Sequence, residues 1–175
     1  NGPQGEQAVF IANASKGRPV KMLWTREEDW GSGTKYRPMS VCLLKAGLDG
    51  DGWPIAIDVR HATTWMGDQG YRCLSAPPYF TPNYRLTVHY PMTHVPIGTR
   101  RGTGPGPNAF YMESFIDELA HAAGKDPYAY RRELIARNPP DPKPGIGGFR
   151  HRDDFLRALD MVAKIVTSPQ VKWTL

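Results

Sequence analysis

Cysteine is scarce in this chain: Cys42 and Cys73 are the only two among 175 residues, and neither belongs to a CxxC pair. That excludes a disulfide-dense scaffold and a thiolate metal site of zinc-finger spacing. The two are read as buried thiols, with a single disulfide as the alternative. The five histidines, at 61, 89, 94, 121 and 151, show neither HxxxH nor HxH spacing, so no metal held directly by side chains is expected. No apolar stretch approaches the roughly 20 residues that a spanning helix needs. The first residues lack the charged-then-apolar pattern of a leader. Excess charge is also small, with 22 Lys+Arg against 17 Asp+Glu for a net +5. Basic residues adjoin only at Arg100-Arg101, Arg131-Arg132 and Arg150–Arg152, which is not the basic stripe that nucleic-acid binding requires. The P-loop, the GxGxxG fingerprint and the GxSxG elbow are all missing.

What is present is an apolar share of 40%, enough for a packed core. Gly 18 and Pro 17 together make a fifth of the residues, heavy for a helical bundle. An α/β or α+β domain with many loops follows. Residues 6–16 read as a helix stopped by Gly17 and Pro19. Pro19–Trp24 alternates like a short strand, and Thr25-Arg-Glu-Glu28 has the spacing of a capping box. Residues 39–48 and 53–65 form the best strand pair, joined by Asp49-Gly-Asp-Gly52, whose Asp-Gly steps favour a tight hairpin. In the second strand Trp53, Ile55, Ile57 and Val59 share one face, opposite Asp58 and Arg60. A calcium loop is rejected at Asp49, because Trp53 stands where an oxygen ligand belongs and the bidentate Glu is missing. Residues 67–83 read as loop, Tyr84–Tyr90 as a further strand, and Pro91–Pro107 as loop again. Asn108 is the expected N-cap of a helix over 109–123 that Gly124 ends. Asp126-Pro127 starts another helix reaching about Arg137. A Pro/Gly linker (138–148) precedes a last helix over 153–166.

The segment richest in chemistry is Gly98-Thr-Arg-Arg-Gly-Thr-Gly-Pro-Gly-Pro-Asn108. Glycines let backbone approach a ligand, a helix N-terminus offers free N–H groups, and two arginines add donors matched to phosphate or carboxylate. Pro105 and Pro107 remove two of those N–H donors, so an anion site and a plain connecting loop both stand. Arg37 is a second candidate, between a surface arginine and a ligand contact. Glu27, Glu28 and Asp29 are better explained by a helix dipole than by acid/base chemistry. Glu113, Asp117 and Glu118 lie on one helix without a nameable partner acid.

Several stretches resemble a single family: Arg18-Pro-Val-Lys-Met-Leu-Trp-Thr-Arg-Glu-Glu-Asp29, Tyr36-Arg-Pro38, Leu44-Lys-Ala-Gly-Leu-Asp-Gly-Asp-Gly52, and above all Asn108-Ala-Phe-Tyr-Met-Glu-Ser-Phe-Ile-Asp-Glu-Leu-Ala-His-Ala-Ala-Gly-Lys-Asp-Pro-Tyr128. They are similar to the molybdopterin-binding large subunit of the xanthine dehydrogenase/aldehyde oxidase family, and within it to the isoquinoline 1-oxidoreductase beta-subunit type. The resemblance implies an α/β (α+β) fold, a mixed β-sheet with hairpin strands and packed helices. It divides the chain into a partial molybdopterin-binding domain at 1–138, a linker at 139–150, and a C-terminal helix and tail at 151–175. It implies a molybdenum–molybdopterin cofactor, in its cytosine dinucleotide form, that hydroxylates an aldehyde or N-heterocycle with oxygen from water. It further implies 2Fe-2S clusters on an iron–sulfur small subunit and a partner in the remainder of the large subunit. No nucleic acid and no transmembrane segment enter this reading, and the compartment is open between bacterial cytoplasm and periplasm.

The same resemblance gives cofactor-binding roles to Arg101, Gly102, Thr103, Gly104 and Asn108, and a substrate-facing role to Arg37. Thr103 replaces the xanthine branch's loop phenylalanine, and Pro107 replaces the usual glutamine. The general base, a Glu in a Gly-x-Gly-Glu segment, has no counterpart in the chain, and the family's glycine-rich G-G-G-F-G segment is missing too. The expectation is therefore an internal piece of a longer subunit, not competent by itself. The alternative is a non-catalytic truncated module that keeps only the fold and an anion-binding loop.

Overall fold

The computed structural model describes residues 3–31, 36–65, 67–95, 97–98, 102, 104–139 and 152–167. They fall into two units, one of residues 1–38 with 93–101, the other of residues 39–92 with 102–175. In the first unit, α1 (Pro3–Ala14) is followed by a turn in which Lys16 and Gly17 both take positive φ, at 52° and 83°. The segment Pro19–Trp24 forms no strand. Its alternation lacks a neighbouring strand to pair with, and the Trp24 indole instead donates to Gln7 at 3.0 Å. The capping box is present: the Thr25 hydroxyl accepts from the Glu28 N–H at 3.2 Å, and the Glu28 carboxylate accepts from the Thr25 N–H at 3.0 Å. It opens α2 (Arg26–Gly31). Tyr36 forms a parallel bridge with Ile97.

The second unit is built on a three-stranded mixed sheet in the order β1 (Ser40–Leu48), β2 (Pro54–Thr63), β3 (Asn83–His89). Strands β1 and β2 form the expected antiparallel hairpin. Asp49 organises its turn, its carboxylate accepting from the N–H groups of Asp51 and Trp53 at 2.9 and 2.8 Å. A bulge between Gly47 and Leu48 breaks the two-residue period, so Ile55 points outward while Ile57 and Val59 face the core. Strand β3 lies parallel to β2, a relation that alternation cannot reveal. On the outer face Asp58 pairs with Arg85 at 2.7 Å and Arg60 at 3.4 Å.

Three helices follow: α3 (Pro105–Ala122), α4 (Pro127–Ala136) and α5 (Arg152–Val166). Helix α3 starts four residues earlier than expected, so Asn108 is an interior helical residue and not the N-cap. Proline is tolerated in a helix's first turn, where its missing N–H would have no partner in any case. Asp126 caps α4 as expected, accepting from the Ala129 N–H at 2.8 Å. The core gathers Ile57, Val59, Leu74, Met112, Ile116, Leu119, Ala120, Tyr130 and Leu134, with Leu156 and Leu159 of α5 packed against it. Phe155, Val162 and Val166 of α5 are exposed. Trp53 stacks on Tyr130 at 4.9 Å, and the Arg137 guanidinium covers it at 4.0 Å. The architecture is α+β. The Pro/Gly linker lies almost wholly outside the described residues; within them, Asn138 donates to the Pro78 carbonyl at 2.6 Å.

Candidate functional site

Two residues of the candidate segment, Gly104 and Asn108, meet a second loop, residues 67–74. Gly104 is buried, and a Cβ placed on it would lie 1.5 Å from the Gln69 carbonyl oxygen. Only glycine allows that approach. Asn108, 1% exposed, sits one turn further on. Its side-chain amide donates to the carbonyls of Gly70 at 3.1 Å and Arg72 at 3.0 Å. Gly70 is itself wedged, since a Cβ there would meet the Trp65 carbonyl oxygen at 2.2 Å. The two loops are thus keyed backbone to backbone, with one buried amide as the pin.

Gly102 contrasts with Gly104. It is exposed, has φ of 80°, and has open space where a Cβ would be. Its carbonyl accepts from the Gly106 N–H at 2.8 Å, and the Gly104 carbonyl accepts from the Asn108 N–H at 3.1 Å. The helix end therefore differs from the expected anion cradle. Pro105 and Pro107 have no N–H, and those of Gly106 and Asn108 are already bonded within the turn. What the described residues here offer a ligand is the open backbone at Gly102.

Of the six residues singled out from the sequence, Gly102, Gly104 and Asn108 come together here. Arg37 is exposed and belongs to the first unit. Arg101 and Thr103 lie outside the described residues. Cys73, expected to be buried, is exposed with φ of 70°, while Cys42 is half-buried and burial pushes its thiol up to about 11. No disulfide joins the two, and no group of three His, Cys, Asp or Glu among the described residues could hold a metal ion. No helix among them is long and apolar enough to cross a membrane.

The helix motif proves to be a clamp. Glu113 and Asp117, one turn apart on α3, both bind Arg131 of α4. Arg131 also donates to the Glu113 carbonyl at 2.8 Å, and the Tyr79 hydroxyl donates to the Glu113 carboxylate at 2.7 Å. Burial and the Glu113 carboxylate hold the Tyr79 phenol well above the usual tyrosine range. These carboxylates are engaged in holding two helices together. Glu28 is likewise part of its capping box, and Asp29 accepts from Gln4 at 3.3 Å.

Sequence reasoning passed over His61. It occupies a core-facing place on β2 between Val59 and Thr63, all three buried. The signal was a histidine at an apolar parity position.

A family model, the molybdopterin cofactor-binding domain, matches residues 2–134. The chain belongs to that family, the molybdopterin-binding part of the xanthine dehydrogenase type of oxidoreductase. It is 33% identical over 184 aligned residues to a probable xanthine dehydrogenase component of Bacillus subtilis, covering 95% of this chain and 23% of that protein. It is 32% identical over 154 residues to a nicotinate dehydrogenase component of Pseudomonas putida, covering 74% of this chain and 12% of that one. Among solved structures, quinoline 2-oxidoreductase from Pseudomonas putida 86 superposes with a TM-score of 0.62 at 21% identity, over 89% of this chain and 21% of that one. That last likeness is one of fold. The chain spans less than a quarter of the length of each of these relatives.

Proposed function

We propose that this chain supplies one wall of the molybdopterin site of a molybdenum hydroxylase. In this reading Arg101, Gly102 and Thr103 meet the cofactor, while Gly104 and Asn108 fix the start of α3 against the 67–74 loop. Arg37 orients the substrate, an aldehyde or N-heterocycle. The carrying observation is the open, positive-φ backbone at Gly102, held by the keyed pair Gly104–Gln69 and Asn108–Gly70 inside the region that the family model spans. An exposed glycine backbone fits close approach of a flat, polar pterin. The bonded helix end does not favour a phosphate on the helix axis, so an anionic tail would be met by arginine.

When bound, such a cofactor supplies the metal chemistry that hydroxylates carbon with oxygen from water, and the protein supplies placement. Its cytosine dinucleotide form, the iron–sulfur partner subunit with its 2Fe-2S clusters, and the rest of the large subunit belong to the same proposal. Proton removal from the attacking oxygen needs a base, and this chain has no Gly-x-Gly-Glu. The second reading is a non-catalytic module that keeps the fold and the loop.

The test is pterin and molybdenum content of the chain, purified from a host making the dinucleotide cofactor, beside Arg101→Ala and Gly102→Val. Retained pterin that both substitutions reduce at least tenfold supports the site. Equal pterin in all three, or none in the parent chain, overturns it in favour of the second reading.

A further inference from the structure

His61 is 1% exposed, and neither of its ring nitrogens has a hydrogen-bond partner among the described residues. A buried polar group is ordinarily paired, and a neutral imidazole carries both a donor and an acceptor to satisfy. An apolar side chain would fill the same place at lower cost. Cys42 stands directly opposite it across the β1–β2 ladder, clear of the bulge at Gly47. The Thr64 N–H donates to the Met39 carbonyl at 3.0 Å, and the alternation of an antiparallel ladder from there makes Cys42–His61 a non-hydrogen-bonded pair. Opposed side chains come closest in such a pair and share one face of the sheet. That face is the packed one, since Cys42 lies against the core and His61 is buried. A thiol and an unpaired imidazole thus meet side by side.

The neighbours limit what this pair can hold. Val59 and Thr63 flank His61 on its own strand, both buried, and Val88 adjoins it on β3. The Tyr111 ring of α3 lies 6.0 Å away, its hydroxyl engaged with Ser40. The Thr63 hydroxyl accepts from the Trp65 N–H at 3.2 Å. No third His, Cys, Asp or Glu completes a metal-holding group among the described residues. Structural zinc takes four ligands, and an iron–sulfur cluster takes four cysteines. What fits is a soft ion satisfied by two ligands, and thiolate with imidazole suits copper(I). Charge agrees: thiolate and monovalent ion together are neutral, which an apolar site accepts, whereas a divalent ion would leave a net charge buried. Cys42 is half-buried on the outer strand of the sheet, so an ion reaches the sulfur from that side while His61 closes the inner one.

We propose that Cys42 Sγ and one ring nitrogen of His61 form a two-coordinate site for copper(I), a site that uses no residue of the Gly102–Asn108 segment. On binding, an S–Cu bond forms as the S–H bond breaks, and the proton leaves to solvent. The imidazole nitrogen donates its lone pair, and copper arrives and stays as copper(I), so no electron changes hands. The site stands whether or not the chain meets a pterin.

The test uses the full reduced chain carrying Cys73→Ser, which removes the exposed thiol. Copper(I) is delivered without oxygen from a chromogenic chelator of known affinity, and metal per chain is measured after desalting. One copper per chain is expected. Cys42→Ser and His61→Phe, each added to that background, should weaken binding by at least about tenfold, the least that loss of even a supporting contact around a metal costs. X-ray absorption of the loaded Cys73→Ser chain should show one sulfur and one nitrogen per copper, a readout that stands even if a further variant fails to fold. Silver(I), a redox-inert stand-in, should move the ring-nitrogen resonances of His61 and leave those of His89, His94, His121 and His151 in place. Failure of the Cys73→Ser chain to hold copper, a smaller loss in either folded variant, two sulfurs per copper from paired chains, or an unmoved His61 overturns the site.

Discussion

Replacing Asn108 with aspartate is nearly isosteric, so it changes chemistry without changing volume. The Asn108 amide nitrogen points at two carbonyl oxygens, those of Gly70 and Arg72, at 3.1 and 3.0 Å, from a side chain 1% exposed. In Asn108→Asp both acceptors lose their donor and face an oxygen instead. Leaving a buried acceptor unmatched costs about 1–3 kcal/mol, and an unpaired buried carboxylate costs about 3–5 kcal/mol by analogy with a broken ion pair. The two overlap, because the carboxyl can take a proton and then donate to one carbonyl. The expected loss at pH 7 is about 3–5 kcal/mol, a large share of the ~5–15 kcal/mol that a domain has. The sign with pH follows. The new carboxyl has a folded pKa raised above its unfolded value of ~3.9, so the folded state binds more protons. The penalty is full above the folded pKa and shrinks as pH falls through it toward 3.9. The assay is urea unfolding at pH 7 and pH 4.5, reading the midpoint at constant slope. Asn108→Ala, which removes both hydrogen bonds but introduces no charge, should cost about 2–3 kcal/mol with no such pH dependence. Equal penalties for the two substitutions at both pH values would refute the pinning role.

Gly104→Ala should cost about 3 kcal/mol or more, above common overpacking, because the obstacle is the Gln69 backbone at 1.5 Å; hydrogen exchange should rise in both loops and not in α4. Arg131→Met should cost about 2–4 kcal/mol in urea unfolding, reduced from a fully buried pair because Glu113 and Asp117 are 46% and 55% exposed, and Arg131→Lys should recover less than half. In the native chain at pH 8, Cys42 should react with an alkylating reagent roughly a hundredfold more slowly than a small-molecule thiol, its thiolate being disfavoured by a pKa of about 11; reaction at the small-molecule rate would contradict that assignment.

The parts of the fold that sequence reasoning reached are those whose causes are local. The Thr25–Glu28 capping box, the Asp49 turn and the Asp126-Pro127 helix start are each specified within four residues, and each has the expected hydrogen bonds. Signals that depend on distant chain were misread or silent. Pro19–Trp24 alternates but has no strand to pair with. The parallel pairing of β3 is set by a crossing connection, not by its own residues. At the candidate site the residue types were legible but not their work. Asn108 looked like a cap because Pro105 and Pro107 looked like loop, whereas both prolines sit comfortably inside the first turn of α3. The need for glycine at 104 comes from Gln69, some 35 residues away, and no local pattern carries it.

The residues that carry the family resemblance and those that would carry its chemistry are largely different. The stretch that identifies the family most strongly, Asn108 through Tyr128, serves largely the fold. Within it Met112, Ile116, Leu119 and Ala120 are core; Glu113 and Asp117 clamp Arg131, and Asp126 caps α4. Residues fixed by packing and by helix–helix ion pairs persist wherever the architecture persists, whatever chemistry is done on it. A match there secures family membership and says little about turnover. Activity turns on a few side chains that meet cofactor and substrate, and under the proposed function those are Arg37, Arg101 and the open backbone at Gly102. Substitution of the exposed Arg37 should leave urea stability within about 0.5 kcal/mol, since surface changes away from packed features seldom do more. Loss of pterin in Arg101→Ala without loss of stability, set beside loss of stability in Arg131→Met, would separate the residues that define the family from those that serve its chemistry.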